Sequence, residues 1–226
     1  MVGGDSAVLL PPMNDPTVYR KLYGEAQAQH YAVAKEAARA THRGEAALAT
    51  RALRGIPRDE SLLDLPCGAG RMTVELARLG FRKLAAADVS PAMLELARAR
   101  LAEEGIDAPV TQADVERLPF ADREFDNVFC FRLFHHFPTD ALRRQAVSEL
   151  CRVARRRVLM SYLDRRGFTA RKRALQSLWR PRPASKFSQS PAEIAALFRA
   201  VGWKPVADFA RLPFWHSLRL LVAERL

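Results

Sequence analysis

LLDLPCGAGR at residues 62–71, followed by MTVELARL at 72–79, is the stretch that decides the fold. It predicts a short apolar strand, a loop with glycines at 68 and 70, and a helix. Glycines let the backbone pass close to a ligand, and the amides at a helix start attract a phosphate or a carboxylate. A dinucleotide loop would need a third glycine where Thr73 stands, and a Walker loop would need a following Gly-Lys-Ser/Thr. The stretch therefore predicts a ligand-binding strand–loop–helix unit of another kind.

Other apolar runs alternate with helical sequences and predict further strands. The predicted strands are SLLDL (61–65), KLAAAD (83–88), a short strand at 110–112, FDNVFCF (125–131), RVLMSYL (157–163), KPVADFA (204–210) and FWHSLRLLVAERL (214–226). Strands without polar alternation, separated by helices, indicate a parallel sheet covered on both faces. The last two, joined by a short turn, predict an antiparallel hairpin. We expect a doubly wound, Rossmann-like α/β fold with a mostly parallel seven-stranded sheet, whose ligand crevice lies at the carboxyl ends of the strands.

Capping residues mark the helix starts. Ser90-Pro91 and Thr139-Asp140 each place a hydroxyl before a helical stretch, and Ser190-Pro191-Ala192-Glu193 has the pattern of a capping box. Before the first strand, alanine-rich sequence predicts one helix from Glu25 to about Thr41 and a second helix at 45–53.

The composition fits one globular domain of 226 residues, 49% hydrophobic and 27% charged, and excludes a largely disordered chain. No apolar run approaches the roughly eighteen residues of a membrane span, and the first sixteen residues lack the features of a signal peptide. Cys67, Cys130 and Cys151 form no CxxC pair, so neither a disulfide framework nor a zinc site is expected. We predict a cytoplasmic protein without a metal.

The net charge of +11 is unevenly distributed. Between Arg143 and Lys186, fourteen lysines and arginines stand against two acids, Glu149 and Asp164, while the rest of the chain is nearly neutral. A concentrated positive field attracts phosphates, carboxylates, nucleic acid or an acidic membrane surface. The alternative is a solvated basic face that only aids solubility.

Two more strand ends carry an acid. Asp88 can accept hydrogen bonds from both hydroxyls of a ribose. Alternatively it could be a helix N-cap, but Ser90 is already placed to cap that helix. Asp114 follows the third strand and precedes the apolar loop 118–120, so it can accept from an exocyclic amine while the loop covers a purine. Taken in order, these features predict a site for an adenosine with a zwitterionic tail.

The sequence resembles the class I S-adenosylmethionine-dependent methyltransferases, and in particular the small bacterial group, methyltransferase type 11, that includes the quinone-biosynthesis C-methyltransferases. The resemblance covers roughly residues 60–163. It rests on LLDLPCGAGR (62–71), AADVSPAMLELAR (86–98), ADVERLPFADREFDNVFC (113–130) and FRLFHHFPTDALRRQAVSEL (131–150). It implies an enzyme that uses S-adenosylmethionine, releases S-adenosylhomocysteine and needs no metal.

The resemblance also implies roles for single residues. The residues expected around the methionine part of the cofactor are Asp64, Pro66, Cys67, Gly68, Gly70 and Arg71. Those expected at the ribose and adenine are Asp88, Val89, Met93, Asp114 and Val115, and Phe131 would border the sulfonium. Two departures from the family are Pro66, which replaces the first loop glycine, and Arg155-Arg156-Arg157, which replaces a Lys-Pro-Gly-Gly turn. Pro66 removes an amide donor, which is tolerable if that amide faces no ligand. The arginine run changes a connection on the far edge of the domain and does not threaten cofactor binding.

The acceptor side is expected after the fourth strand. His135 and His136 are candidates for a general base if the acceptor needs one; alternatively they are packing and capping residues. Arg132 is a candidate for binding an anionic acceptor. Tyr23, together with Tyr19 and Tyr31, is a candidate for closing over the site, or else belongs to the core.

We divide this single domain into four parts: an N-terminal helical arm or lid (1–58), a cofactor-binding core (59–163), a basic substrate-side insertion (164–190), and a final helix with the hairpin (191–226). In the insertion, Phe168, Leu175, Leu178 and Trp179 share one helical face with basic residues around them. This pattern is typical of a lid helix packed on the core. It also fits a basic amphipathic helix that meets an anionic lipid surface or a lipid-linked acceptor.

Three functions stay open at this stage. The leading one is methyl transfer to a small or lipid-linked, anionic acceptor, with peripheral contact at the inner membrane surface left open. The second is an RNA methyltransferase that uses the arginine-rich segment for nucleic acid. The third is a non-catalytic domain that binds the cofactor as a sensor or scaffold.

Overall fold

The computed structural model describes residues 35–179, 186–212 and 215–226, in which helices and strands alternate as expected. The helices are α1 (Lys35–Ala52), α2 (Arg71–Arg78), α3 (Pro91–Glu103), α4 (Asp140–Val153), α5 (Phe168–Trp179) and α6 (Pro191–Ala200). The strands are β1 (Leu62–Asp64), β2 (Leu84–Asp88), β3 (Val110–Gln112), β4 (Phe125–Cys130), β5 (Ala154–Leu163), β6 (Trp203–Ala210) and β7 (Leu218–Arg225). A short 3₁₀ helix, Phe134–His136, follows β4.

The seven strands form one sheet in the order β3-β2-β1-β4-β5-β7-β6. β1 to β5 run parallel, whereas β7 lies antiparallel between β5 and β6. The strand order reverses beside β1, which pairs with β2 on one side and β4 on the other. These observations confirm the predicted fold, and the reversal places the ligand crevice at the carboxyl ends of β1 and its neighbours.

The predicted helix caps are confirmed. The Ser90 hydroxyl accepts a hydrogen bond from the Met93 amide at 3.4 Å, and the Thr139 hydroxyl accepts one from the Leu142 amide at 3.3 Å. Ser190 and Glu193 form the reciprocal capping box at the start of α6. The starts of α3, α4 and α6 are therefore fixed by local sequence.

The prediction of two separate N-terminal helices is wrong. Residues 35–52 form one continuous helix, α1, which passes through Gly44 without a break; residues 25–34 lie outside the described ranges. A Cβ added at Gly44 would lie 2.5 Å from Nε of Arg211, in the connection between β6 and β7. The end of the Arg211 side chain therefore packs directly over Gly44, and the helix continues through this residue despite the low helix propensity of glycine.

Seven of the fourteen basic residues between Arg143 and Lys186 form ion pairs with acids in the fold. Arg155, Arg156 and Arg157 lie within β5 rather than in a turn before it, because the strand begins at Ala154. They form ion pairs with Asp126, Glu60 and Glu224, acids that come from elsewhere in the chain. The arginines of the basic segment that pair with acids are Arg143, Arg152, Arg155, Arg156, Arg157, Arg165 and Arg166.

Among the helices in the described ranges, none combines the length and the hydropathy that crossing a bilayer requires.

Candidate functional site

The loop between β1 and α2 forms the floor of the crevice. Gly68 and Gly70 have φ angles of 52° and 74°, a left-handed conformation that favours glycine. A Cβ at Gly70 would lie 3.2 Å from Cα of Ala97, so the glycine lets α3 pack closely against the loop. A Cβ at Gly68 would meet no atom of the described residues within 4 Å. Gly68 therefore exposes its backbone to open space, where a ligand can approach.

Asp64 lies fully buried at the end of β1, beneath this loop. Its Oδ2 accepts a hydrogen bond from the Thr73 hydroxyl at 2.6 Å, which explains threonine where a dinucleotide loop has glycine. Oδ1 is buried and has no hydrogen-bond partner among the described residues. Burial, with a smaller contribution from the charge of Asp88, raises the pKa of Asp64 to about 7. A cationic donor on a ligand would satisfy this oxygen, so the site fits an ammonium group.

Asp88 is held at the end of β2, with only 2% of its surface exposed. Oδ2 accepts a hydrogen bond from the Gly68 amide at 2.9 Å, and Oδ1 accepts one from the Ser90 amide at 3.0 Å. Burial raises the pKa of this carboxyl. Each carboxylate oxygen has a second lone pair, so both can still accept from a vicinal diol. The structure therefore places a fixed acceptor beside the open space at Gly68.

Apolar residues and Asp114 lie at the neighbouring ends of β2 and β3. Met93 and Val115 are buried, and Val89 is partly buried. Asp114 Oδ1 accepts a hydrogen bond from the Glu116 amide at 3.0 Å, which holds the turn after β3. Gln112, which the sequence did not single out, donates from Nε2 to the Val89 carbonyl at 3.1 Å. These contacts bring the residues expected at adenine to one end of the sheet.

The remaining loop residues have defined places. Pro66 is partly buried after a cis peptide bond, and the Cys67 amide donates to the Ala87 carbonyl at 2.8 Å. Phe131 is buried and stacks on Phe129, with ring centroids 5.4 Å apart. Its role beside a sulfonium stays a prediction.

The three cysteines are all free and buried. Burial raises the pKa of Cys67, Cys130 and Cys151, so their thiols stay protonated at neutral pH. We assign none of them a nucleophilic role.

Glu45, on α1, is a site residue that the sequence did not reveal. Its carboxylate is fully buried and accepts hydrogen bonds from Arg71 Nη2 at 3.0 Å and from Arg132 Nη1. Glu45 thereby ties α1 to the glycine loop and to the end of β4. The partners lie 26 and 87 positions away along the chain, so no local pattern signals the contact.

Arg132 follows β4 at the edge of the crevice. Its φ of 65° is unusual for a residue other than glycine, and its amide donates to the Ser161 hydroxyl at 2.6 Å. The side chain is 42% exposed, although one nitrogen binds Glu45. Backbone outliers of this kind cluster at functional sites, so the geometry keeps Arg132 as a candidate for contacting an acceptor.

The two candidate bases lie in the 3₁₀ helix after β4. His135 is buried and His136 is partly buried, with their ring centroids 4.2 Å apart. The His135 carbonyl accepts a hydrogen bond from the Phe187 amide at 2.7 Å, so the returning end of the basic insertion packs against this helix. In the described part of the chain, no group of three or more His, Cys, Asp or Glu is arranged to hold a metal ion.

The insertion differs from the lid expected from its sequence. Phe168 and Leu175 of α5 are 53% and 60% exposed, so these two residues do not pack on the core. Among the residues of this helix whose side chains are described, Ala170 is buried. The side chains of Leu178 and Trp179 lie outside the described set. So do Tyr19, Tyr23 and Tyr31, whose proposed closure over the site stays a prediction.

Comparison with known proteins finds methyltransferases that are similar to this part of the chain. A methyltransferase-domain family model matches residues 62–157. Over 96 residues the chain is 36% identical to the methyltransferase GfsG of Streptomyces halstedii, covering 42% of this chain and 34% of that protein. Over 102 residues it is 36% identical to the ubiquinone/menaquinone biosynthesis C-methyltransferase UbiE of Chromobacterium violaceum, covering 44% and 40%. The chain thus spans only about a third to two fifths of the length of these relatives.

Solved structures extend the likeness beyond the matched segment. Magnesium protoporphyrin IX methyltransferase from Synechocystis PCC 6803, crystallised with S-adenosylhomocysteine, superposes with a TM-score of 0.68 at 21% identity. The match covers 82% of each chain, which shows a common fold. The resemblance expected from the glycine loop and the two acids is confirmed: residues 62–157 match a methyltransferase domain, and the chain shares its fold with a methyltransferase crystallised with S-adenosylhomocysteine.

Proposed function

We propose that this chain binds S-adenosylmethionine in the crevice and transfers its methyl group to a small or lipid-linked, anionic acceptor, leaving S-adenosylhomocysteine. One observation carries the proposal: the buried Asp88 carboxylate is fixed by the Gly68 amide beside space that no described residue fills. The cofactor supplies an electrophilic methyl on a sulfonium, so an acceptor can displace it without help from a metal.

The residues of the crevice match the parts of this cofactor. The unsatisfied Oδ1 of Asp64 would accept a hydrogen bond from the ammonium group, and the helix start after Gly70 would face the carboxylate. Asp88 would bind the ribose hydroxyls. Met93 and Val115 would supply an apolar surface for adenine, and Asp114 an acceptor for its amine.

Arg132 and Arg71 support an anionic acceptor. Both guanidinium groups form ion pairs with the buried carboxylate of Glu45, which fixes their orientation at the edge of the crevice. A guanidinium in fixed orientation binds carboxylate or phosphate strongly. Holding the acceptor in line with the methyl group supplies most of the acceleration that such a transfer needs.

A base is required only when the acceptor atom carries a proton. We assign this role to the His135–His136 pair, in which His136 has the greater access to solvent. Replacement of His136 by Gln would then lower kcat toward a phenol or an acidic carbon, with the binding of S-adenosylhomocysteine unchanged.

The proposal is tested by measuring S-adenosylhomocysteine release from S-adenosylmethionine. The acceptors are a set of phenolic carboxylates, an organic-solvent extract of bacterial membranes, and total RNA. We expect turnover with the carboxylates or the membrane extract, and a raised KM in Arg132→Gln with little change in cofactor affinity. Turnover with RNA alone would establish the nucleic-acid alternative, and cofactor binding without turnover on any acceptor would establish the scaffold alternative.

A further inference from the structure

An exposed surface of mixed aromatic and basic character lies beside the crevice. We call it the rim patch; it consists of Phe168, Arg171, Lys172 and Leu175 of α5, with Leu212 and Trp215 of the β6–β7 connection. Its four apolar side chains are between 53% and 68% exposed. They make up half of the eight large apolar side chains that are exposed in the described ranges, and the other four do not share one element. Such a concentration marks an interaction site.

The two segments of the rim patch form one surface. The rings of Phe168 and Trp215 pack edge to face, with their centroids 5.7 Å apart. The Thr169 amide donates to the Trp215 carbonyl at 3.2 Å, and the Thr169 hydroxyl is 3.0 Å from that of Ser217. The start of α5 therefore holds the turn in place, with its tryptophan pointing outward.

The charge of the rim patch lies on the same helical face as its apolar groups. Phe168, Arg171, Lys172 and Leu175 are spaced i, i+3, i+4 and i+7, which places them together on one side of α5. All four are exposed. The other described arginines at this end of the insertion, Arg165 and Arg166, pair with acids. A face with aromatic groups between basic side chains, whose stems lie along apolar surface, is suited to a lipid–water interface.

The rim patch faces the same edge of the sheet as the crevice. α5 begins soon after Leu163, the carboxyl end of β5, which pairs with Leu218 at the start of β7. The β6–β7 connection therefore lies at the carboxyl edge too. The insertion returns beside β5, where the Gln189 amide donates to the Leu163 carbonyl at 2.9 Å, and reaches the candidate base through Phe187.

We propose that the rim patch docks on an anionic lipid bilayer and brings the mouth of the crevice to the membrane surface. Trp215 and Phe168 would enter the headgroup region, while Arg171 and Lys172 would contact acidic lipid headgroups. This inference deepens the proposed function and rests on it for the consequence that a lipid-linked acceptor enters the crevice directly. Docking itself requires neither cofactor nor turnover.

The test is flotation of the full chain with vesicles of phosphatidylcholine or of an equimolar mixture with phosphatidylglycerol. We expect binding to the mixed vesicles only, weakened by added salt. Arg171→Glu with Lys172→Glu should weaken it roughly tenfold or more, and Phe168→Ser with Trp215→Ser should also weaken it. Matched changes at exposed residues outside the patch, Arg144→Glu and Leu96→Ser, should leave binding unchanged.

Several results would overturn the inference. Equal binding to neutral and mixed vesicles would do so, as would rim-patch variants that bind as well as their controls. A dimer in sedimentation that dissociates on replacement of Phe168 and Trp215 would assign the surface to a second copy of the chain. Titration of each protein with S-adenosylhomocysteine separates the two proposals. A rim-patch variant that no longer binds vesicles but still binds S-adenosylhomocysteine has lost membrane docking alone. A wild type that binds vesicles but not S-adenosylhomocysteine would contradict only the proposed function.

Discussion

Alanine substitutions at Gly68 and Gly70 should separate ligand binding from stability. Both residues have positive φ angles, so a Cβ at either one costs about 1–2 kcal/mol of stability. At Gly70 the Cβ also meets Cα of Ala97 at 3.2 Å, and overpacking of this kind adds about 1–3 kcal/mol. We therefore expect Gly70→Ala to be the less stable variant, with a melting temperature lowered by about 2–4 °C for each kcal/mol.

For S-adenosylhomocysteine binding, the more affected variant should be Gly68→Ala and not Gly70→Ala. The Cβ in Gly68→Ala meets no atom of the described residues, so it occupies the space in which we place the cofactor and should weaken S-adenosylhomocysteine binding roughly tenfold, or about 1.4 kcal/mol. Gly105→Ala is the matched control, since Gly105 has a φ of 65° and equally open surroundings at the far end of α3. It should lose similar stability and keep full affinity.

The measurements are urea unfolding and isothermal titration with S-adenosylhomocysteine, at a temperature at which all three variants are folded. Full affinity in Gly68→Ala, with the expected loss of stability, would show that the loop does not face the cofactor. Equal destabilisation of Gly68→Ala and Gly70→Ala would show that the contact with Ala97 is not as close as described.

Two further predictions concern buried carboxylates. Glu45→Ala should lower the free energy of unfolding in urea by about 2–3 kcal/mol and weaken S-adenosylhomocysteine binding, because both partner arginines lose their buried anion but can still reach water. The control Glu104→Ala breaks an exposed ion pair and should cost under about 1 kcal/mol. Equal losses in the two variants would contradict the role of Glu45 in tying α1 to Arg71 and Arg132. Asp64 has a raised pKa in the folded state, so the folded protein binds its proton more tightly and loses stability as the pH rises from 3.8 to about 7. Asp64→Asn keeps an acceptor for Thr73 without the charge, and its unfolding free energy should fall less over this range, by up to about 1.4 kcal/mol per pH unit. Parallel pH profiles of the wild type and the variant would contradict a buried Asp64 carboxyl with a raised pKa.

The sequence predicts the parts of the fold that depend on local signals. Ser90, Thr139 and Ser190 specify helix starts through contacts three residues away, and apolar runs specify buried strands. The spacing of Asp64, the two loop glycines and Asp88 predicts the cofactor side of the crevice for the same reason. These four residues lie within one strand–helix–strand unit, from the end of β1 to the end of β2.

Contacts between distant segments account for what the sequence does not predict. The sequence around Gly44 predicts a break between two helices, and the contact of Arg211 with Gly44 is seen only in the fold. The sequence predicts a positive field at Arg155–Arg157, because it does not show that the fold brings Glu60 and Asp126 beside β5. The role of Glu45 depends on two arginines that only the fold brings together.

The sequence leaves the orientation of α5 undecided for a different reason. Periodicity identifies the residues that share a face, but not whether that face turns toward the core. In this helix Ala170 faces inward, whereas Phe168 and Leu175 are exposed.

The most direct test of the central claim is calorimetric titration of S-adenosylmethionine and S-adenosylhomocysteine into the wild type, Asp88→Ala and the exposed control Asp107→Ala. Because Asp88 also accepts from Gly68 and Ser90, circular dichroism first selects conditions in which every variant is folded. We expect one site of micromolar affinity for both ligands in the wild type and in the control, and collapse of that affinity in Asp88→Ala. A wild type that binds neither ligand, or an Asp88→Ala variant that binds as well as the wild type, would contradict the account.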